Sequence, residues 1–156
     1  IDISIIFVSI KLNFMEKLEE IIFYTLEKSI KSYRQFAQKN ISKEGFDITI
    51  DQWLVLKTIE NNAGINQQQI ALHVFKDYAS ITRIIEILVT KKYLERKFHE
   101  LDRRRFDLRI TKMGLKILQS LTPIIKSNRE QALHKISKSE IELLKKVLTK
   151  LTNNCN

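Results

Sequence analysis

Apolar residues recur at helical spacing over residues 15–39, at Leu18, Ile22, Leu26, Ile30, Tyr33 and Ala37, which predicts a long amphipathic helix. The polar stretch 40–46, with Gly45 inside it, is expected to break that helix. Thr49 and Gln52 stand in capping-box register at the head of a second helix through Trp53, Leu56 and Ile59, which Asn61-Asn62-Ala63-Gly64 should end. Asn66 and Gln69 open a short third helix over 67–74, and Asp77 caps a fourth from 78 to about 91. Thr111 begins a long helical region with Leu118, Leu121, Ile125, Ala132 and Ile136 on one face. Pro123 lies inside that region and predicts a kink or local break. Ser137 and Glu140 form another capping box before a last helix. Its Ile141, Leu144, Leu148 and Leu151 have the 3-4-3 spacing of a helix packed on a partner helix.

Residues 94–111 change period. Leu94 and Phe98, then Phe106, Leu108 and Ile110, alternate as in a half-buried antiparallel hairpin. Its turn carries Arg103, Arg104 and Arg105 in succession. Like charges at a hairpin tip repel one another, so the fold gains nothing from them. A polyanion brought to the tip relieves the repulsion. Arg96 shares the apolar side of its strand and is expected to need a carboxylate partner.

The 156 residues suit one domain, and 44% hydrophobic residues suffice for a core. Three Gly and one Pro favour long helices over a many-turned β fold. The net charge is +9, and the segment 91–116 holds ten Lys/Arg against four Asp/Glu, about six of the nine surplus charges. Such clustering points to a binding face for nucleic acid or a membrane surface. The single cysteine, Cys155, cannot build an intrachain disulfide framework, which fits a cytoplasmic setting. Residues 1–14 are apolar but too short to span a bilayer, and they lack signal-peptide features. They are expected to be an upstream extension, with Met15 as the natural start; a strand or helix covering a partner is the alternative. His73, His99 and His134 form no metal-ligand motif, and no nucleophile motif or phosphate-binding glycine loop is present. Neither catalysis, a cofactor nor a metal is expected.

The third and fourth helices have helix-turn-helix proportions. In the fourth, Ile81, Ile84, Ile85 and Leu88 share one side and should pack inward. Ala79 and Arg83 point the opposite way, with Ser80 and Thr82 on the flanks. The N-terminal end of such a helix meets base edges. Arg83 can donate two hydrogen bonds to guanine, and small Ala79 and Ser80 permit close approach. Asn66 and Gln68, at the start of the short helix, could donate to phosphates.

Residues 48–118 thereby resemble the MarR family of winged-helix transcriptional regulators. The resemblance rests on Asp102-x-Arg104-x-x-x-Leu108-x-Ile110-Thr111, on Gln67-Gln68-Gln69-Ile70-Ala71 and on Ser80-Ile81-Thr82-Arg83, all in the family's order and spacing. It implies a dimer on a pseudo-palindromic double-stranded DNA operator. Ser80, Thr82 and Arg83 would enter the major groove and Arg104 the minor groove, with Asp102 holding the wing's shape. It also implies a small-molecule effector pocket, for which Tyr24, Tyr33, Phe36 and Trp53 could supply aromatic lining. The family's redox-sensing branch depends on a reactive cysteine near the first helix, and this chain has none there. Lys92 stands where the family usually has Gly; a left-handed backbone there would strain it.

The expected fold is mainly α with a small β-hairpin wing, a winged helix-turn-helix lobe over 48–111. Residues 15–47 and 112–156 would supply a helical region pairing two copies across a two-fold axis. The expected function is an effector-responsive repressor. Two other classes fit parts of the sequence: a winged helix docking its basic face on an acidic protein partner, and a membrane-surface binder through the first ten residues. The second of these is disfavoured.

Overall fold

The structure, a computed structural model, describes residues 17–98 and 106–156. The extension over residues 1–14 and the wing-tip residues His99, Asp102, Arg103, Arg104 and Arg105 lie outside the described residues. The chain divides into two units, Ile1–Ile50 and Asp51–Asn156.

In the first unit a single 3-10 turn, Leu18–Glu20, precedes helix α1, Ile22–Lys43. The helix outruns its expected end at residue 39. The reason is that Ile41 continues the apolar spacing of Ala37, and both side chains are buried. Polar Asn40 and Ser42 do not stop a helix whose buried stripe continues past them. The end comes where Gly45 takes φ +79°, and Phe46 N–H closes the turn on Ile41 O at 3.3 Å. Gln38 then clamps the returning chain. Its Nε2 donates to Ile48 O at 3.2 Å, and its Oε1 accepts from Ile50 N–H at 2.9 Å. Leu18, Ile22, Phe23 and Ile30 remain exposed.

The second unit carries the rest. Helix α2, Ile50–Asn61, buries Val55, Leu56 and Ile59. Helix α3, Gln67–His73, starts on the expected capping box: Gln69 N–H donates to Asn66 Oδ1 (2.9 Å) and Asn66 N–H to Gln69 Oε1 (3.1 Å). Helix α4, Tyr78–Thr90, is capped by Asp77 and buries Ile81, Ile85 and Leu88, with Ile84 half-buried. Two of these helices end in a left-handed residue that is not glycine. Phe75 has φ +55° and Lys92 φ +60°, each at a cost of about 1–2 kcal/mol. The strain anticipated at Lys92 is therefore present.

Strands β1, Leu94–Phe98, and β2, Phe106–Ile110, pair antiparallel, with Leu94 opposite Ile110 and Arg96 opposite Leu108. Oppositely charged residues also face each other in this register, Glu95 with Arg109 and Lys97 with Asp107. Helix α5, Lys112–Ala132, runs without interruption through Pro123, where the sequence predicts a kink or break. Pro123 removes one ladder bond, the one to the carbonyl of Gln119. Both residues are exposed, so water can take that acceptor. Burial along α5 covers Leu118, Leu121, Ile125 and Asn128 and stops there. Ala132 and Ile136, expected on the same face, are exposed because the helix ends and the chain turns at Leu133–Ile136. Helix α6, Lys138–Asn154, opens on the Ser137–Glu140 capping box and buries no residue.

Sequence periodicity gives no hint of one close contact. A β-carbon on Gly114 would collide with Tyr93 O and lie 2.7 Å from Ile110 Cγ2. Helix α5 therefore starts in contact with the turn that ends α4. Gly114→Ala should destabilise the protein by roughly 2 kcal/mol or more, measured as a lower urea midpoint. An unchanged midpoint would show that the turn can move aside.

Candidate nucleic-acid interface

The head of α4 is built by Asp77. Ser80 Oγ donates to Asp77 Oδ2 at 2.6 Å and Ser80 N–H donates to Oδ1 at 2.8 Å. Those two bonds, the hydroxyl first, hold the Asp77 carboxyl below the ordinary aspartate value. Ser80 has thus committed its hydroxyl proton and offers a lone pair, suited to the amino group of adenine or cytosine. Thr82 is similar. Its hydroxyl donates to Tyr78 O at 2.9 Å and accepts from Gln67 Nε2, which leaves the methyl group for apolar contact. Ala79 and Arg83 are exposed, and among the described residues Arg83 has no carboxylate partner. A guanidinium in water beside small side chains is what bidentate recognition of guanine requires.

The neighbouring helix is bonded to this head, and the turn between the two is tied to α2. Gln67, the first residue of α3, bonds Thr82. Lys76, in the turn, pairs with Asp51 at 3.0 Å, both side chains being roughly two-thirds buried. Gln67 was not among the residues expected at the site; a run of three glutamines gives no sign which one is tied down. Asn66 uses its Oδ1 in the cap, so only its amide nitrogen is left for phosphate, while Gln68 is exposed in the first turn of α3.

The wing begins beside α4. Among the described residues Arg96 has no carboxylate partner of the kind expected for it; its guanidinium carbon lies 3.6 Å from the centroid of the Phe106 ring. Arg96 pairs with Leu108, so the ring is its diagonal neighbour, within reach of a long side chain. Arg96 is exposed, so the charge keeps its contact with water while one face covers the ring. The tip residues Arg103, Arg104 and Arg105, with Asp102, fall outside the described residues.

The aromatic residues considered for an effector fall in different units. Tyr24, Tyr33 and Phe36 lie on α1 in the first, where Tyr24 is exposed and the others are half-buried. Trp53 lies in the second, on a groove of about 490 Å3 between α2 and α5, lined also by Lys57, Leu118, Thr122 and Arg129. A second groove of about 430 Å3 runs under β2, beside Ile59, Gly64 and Ile65. No cluster of metal-ligating side chains occurs among the described residues, and His73 donates from Nδ1 to Gln69 O at 2.8 Å. No helix among the described residues is long and apolar enough to cross a membrane.

Residues 46–105 match the MarR family. The HTH-type transcriptional regulator SarZ of Staphylococcus haemolyticus (strain JCSC1435) is 27% identical over 104 residues, 67% of each chain. A putative transcriptional regulatory protein for the hcr operon of Thauera aromatica is 28% identical over 132 residues, 82% of this chain and 78% of that one. The fold is that of the S. aureus MepR–DNA complex, with TM-score 0.78 and 24% identity over 86% of this chain and 98% of that one.

The Asp77 cap gives a pH test. A carboxyl with a depressed folded-state pKa stabilises fully above the ordinary aspartate value of about 4 and loses that contribution as pH falls through the depressed value. Asp77 should titrate below the ordinary aspartate range by NMR. Asp77→Ala should lower the melting temperature more than Asp77→Asn, which keeps a capping acceptor. An ordinary titration would mean that the Ser80 bonds do not persist in solution.

Proposed function

We propose that this chain, whose residues 46–105 match the MarR family and which is similar to transcriptional regulators, is a winged-helix, DNA-binding regulator of that family and acts as a homodimeric, effector-responsive repressor on a pseudo-palindromic operator. The observation that carries the DNA-reading part is the exposed head of α4. Ala79, Ser80, Thr82 and Arg83 present one guanidinium, one hydroxyl lone pair and two methyl groups on a helix whose other side is locked into the core. These four residues read the major groove. Arg103, Arg104 and Arg105 of the wing enter the neighbouring minor groove, whose negative potential attracts arginine. Asn66 and Gln68 hold phosphates.

Dimerisation is supported by apolar surface that one chain leaves in water. Leu143, Leu144, Val147 and Leu148 are exposed on α6, as are Leu18 in the 3-10 turn and Ile22 and Phe23 at the start of α1. Each such side chain gains about 1.5–3 kcal/mol on full burial. A second copy supplies the cover, and two recognition helices then meet successive major grooves about 34 Å apart. Occupying a promoter in the cytoplasm blocks transcription. An effector held by Tyr24, Tyr33, Phe36 or Trp53 would release the operator by favouring a dimer in which the two heads no longer match that spacing.

Selection from random DNA should return a palindrome with half-sites about one helical turn apart. On that operator Arg83→Ala should relax preference at one base pair per half-site, at about 1–3 kcal/mol. Arg104→Ala should weaken binding strongly. Affinity should fall with salt at a log–log slope of about −0.9 per phosphate neutralised. Wild-type affinity and preference in both variants would refute the residue assignment. Failure to select any sequence would favour an acidic protein partner for the basic face.

A further inference from the structure

Phe75 combines two unfavourable features. It occupies the left-handed position after α3, φ +55°, where the corresponding turn after α1 uses Gly45 at φ +79°. Its ring is 94% exposed, so packing within the protein returns almost nothing. Glycine at this position would relieve the backbone and remove an apolar ring from water. The ring also has company. Leu72, whose carbonyl accepts Phe75 N–H at 3.3 Å, is 71% exposed, and Tyr78, the first residue of α4, is 58% exposed. These exposed residues adjoin the polar head of α4 in sequence: Asp77 caps between Phe75 and Ser80, and Lys76 is anchored to Asp51 at 3.0 Å. The turn is thus held in place while the rings beside it lie open to water.

We propose that Phe75 and Tyr78 are specificity-determining contacts to the same duplex, and that Phe75 packs on a thymine methyl group next to the bases read by Ser80 and Arg83. The chemistry fits: the 5-methyl of thymine is the apolar feature of the major groove, and phenylalanine is among the side chains that recognise it. An apolar ring at this edge adds recognition of a methyl group, which the lone pair of Ser80 and the guanidinium of Arg83 cannot supply. This inference rests on the DNA reading above.

The test uses the full chain and the operator that the wild type selects from random DNA. Phe75→Gly should melt at an equal or higher temperature and bind the operator about tenfold more weakly. Phe75→Asn, a polar residue that tolerates the left-handed turn, should lose affinity similarly. Thymidines are then replaced one at a time by deoxyuridine. The wild type should lose about fivefold at one position in each half-site, and Phe75→Gly should be indifferent there. If the wild type selects an operator and both variants bind it as tightly, the inference falls while the DNA reading stands, and the patch belongs to a protein partner or a second copy. A loss of affinity with no dependence on any single methyl group also overturns it. If the wild type selects no sequence, the reading fails and the inference with it.

Discussion

Thr111 holds both ends of the wing at one point. Its N–H donates to Tyr93 O at 3.1 Å and its hydroxyl donates to Lys92 O at 2.6 Å, so the first residue after β2 is bonded to the turn that precedes β1. The same hydroxyl oxygen accepts Gly114 N–H at 3.0 Å and caps α5. That turn is also the end of α4, where Tyr93 N–H closes on Leu88 O at 2.9 Å. Recognition helix, hairpin and long helix are therefore joined within a few residues. Lys92 accepts a left-handed backbone to make the turn, and Gly114 gives up its side chain to let α5 reach it. Without this junction the hairpin would be a two-stranded ribbon of marginal stability, free to point elsewhere.

The α4 helix is held in the same economical way at its other end. Asp77 fixes its first turn, Gln67 holds Thr82 and Lys76 ties the preceding turn to Asp51. Three buried side chains, Ile81, Ile85 and Leu88, set its rotation. The exposed face is left with no rotational freedom to spend on binding, which lowers the ordering cost when a duplex is engaged. The internal bonds also decide the chemistry of that face. They consume the protons of Ser80 and Thr82 and leave Arg83 as the strong donor among these four residues.

Much of this was legible in the sequence because it depends on local rules. The caps at Asn66, Asp77 and Ser137 involve residues three apart, and the α4 stripe follows a fixed period. The hairpin follows from alternation, and the strained turn from Lys92 standing where glycine was expected. What could not be read depends on residues distant in sequence meeting in space. The Gln38 clamp spans ten and twelve residues, the Gln67–Thr82 bond fifteen, and the Thr111–Lys92 bond nineteen. The close approach of Gly114 to the Tyr93 carbonyl is another such meeting. Arg96 was matched to a carboxylate because charge pairing is the first expectation for such a residue; among the described residues its partner is a ring one diagonal away. Pro123 was overestimated because the carbonyl it orphans is on the wet side of the helix.

The central claim is geometric: the junction at Thr111 makes the head of α4 and the wing address one duplex. The most direct measurement is the diffraction structure of this chain on its selected operator. The account predicts Arg83 at a guanine edge in the major groove and the arginines of the wing in the minor groove beside the same half-site. A complex in which the wing points away from the DNA, or in which the head of α4 faces solvent, would contradict it.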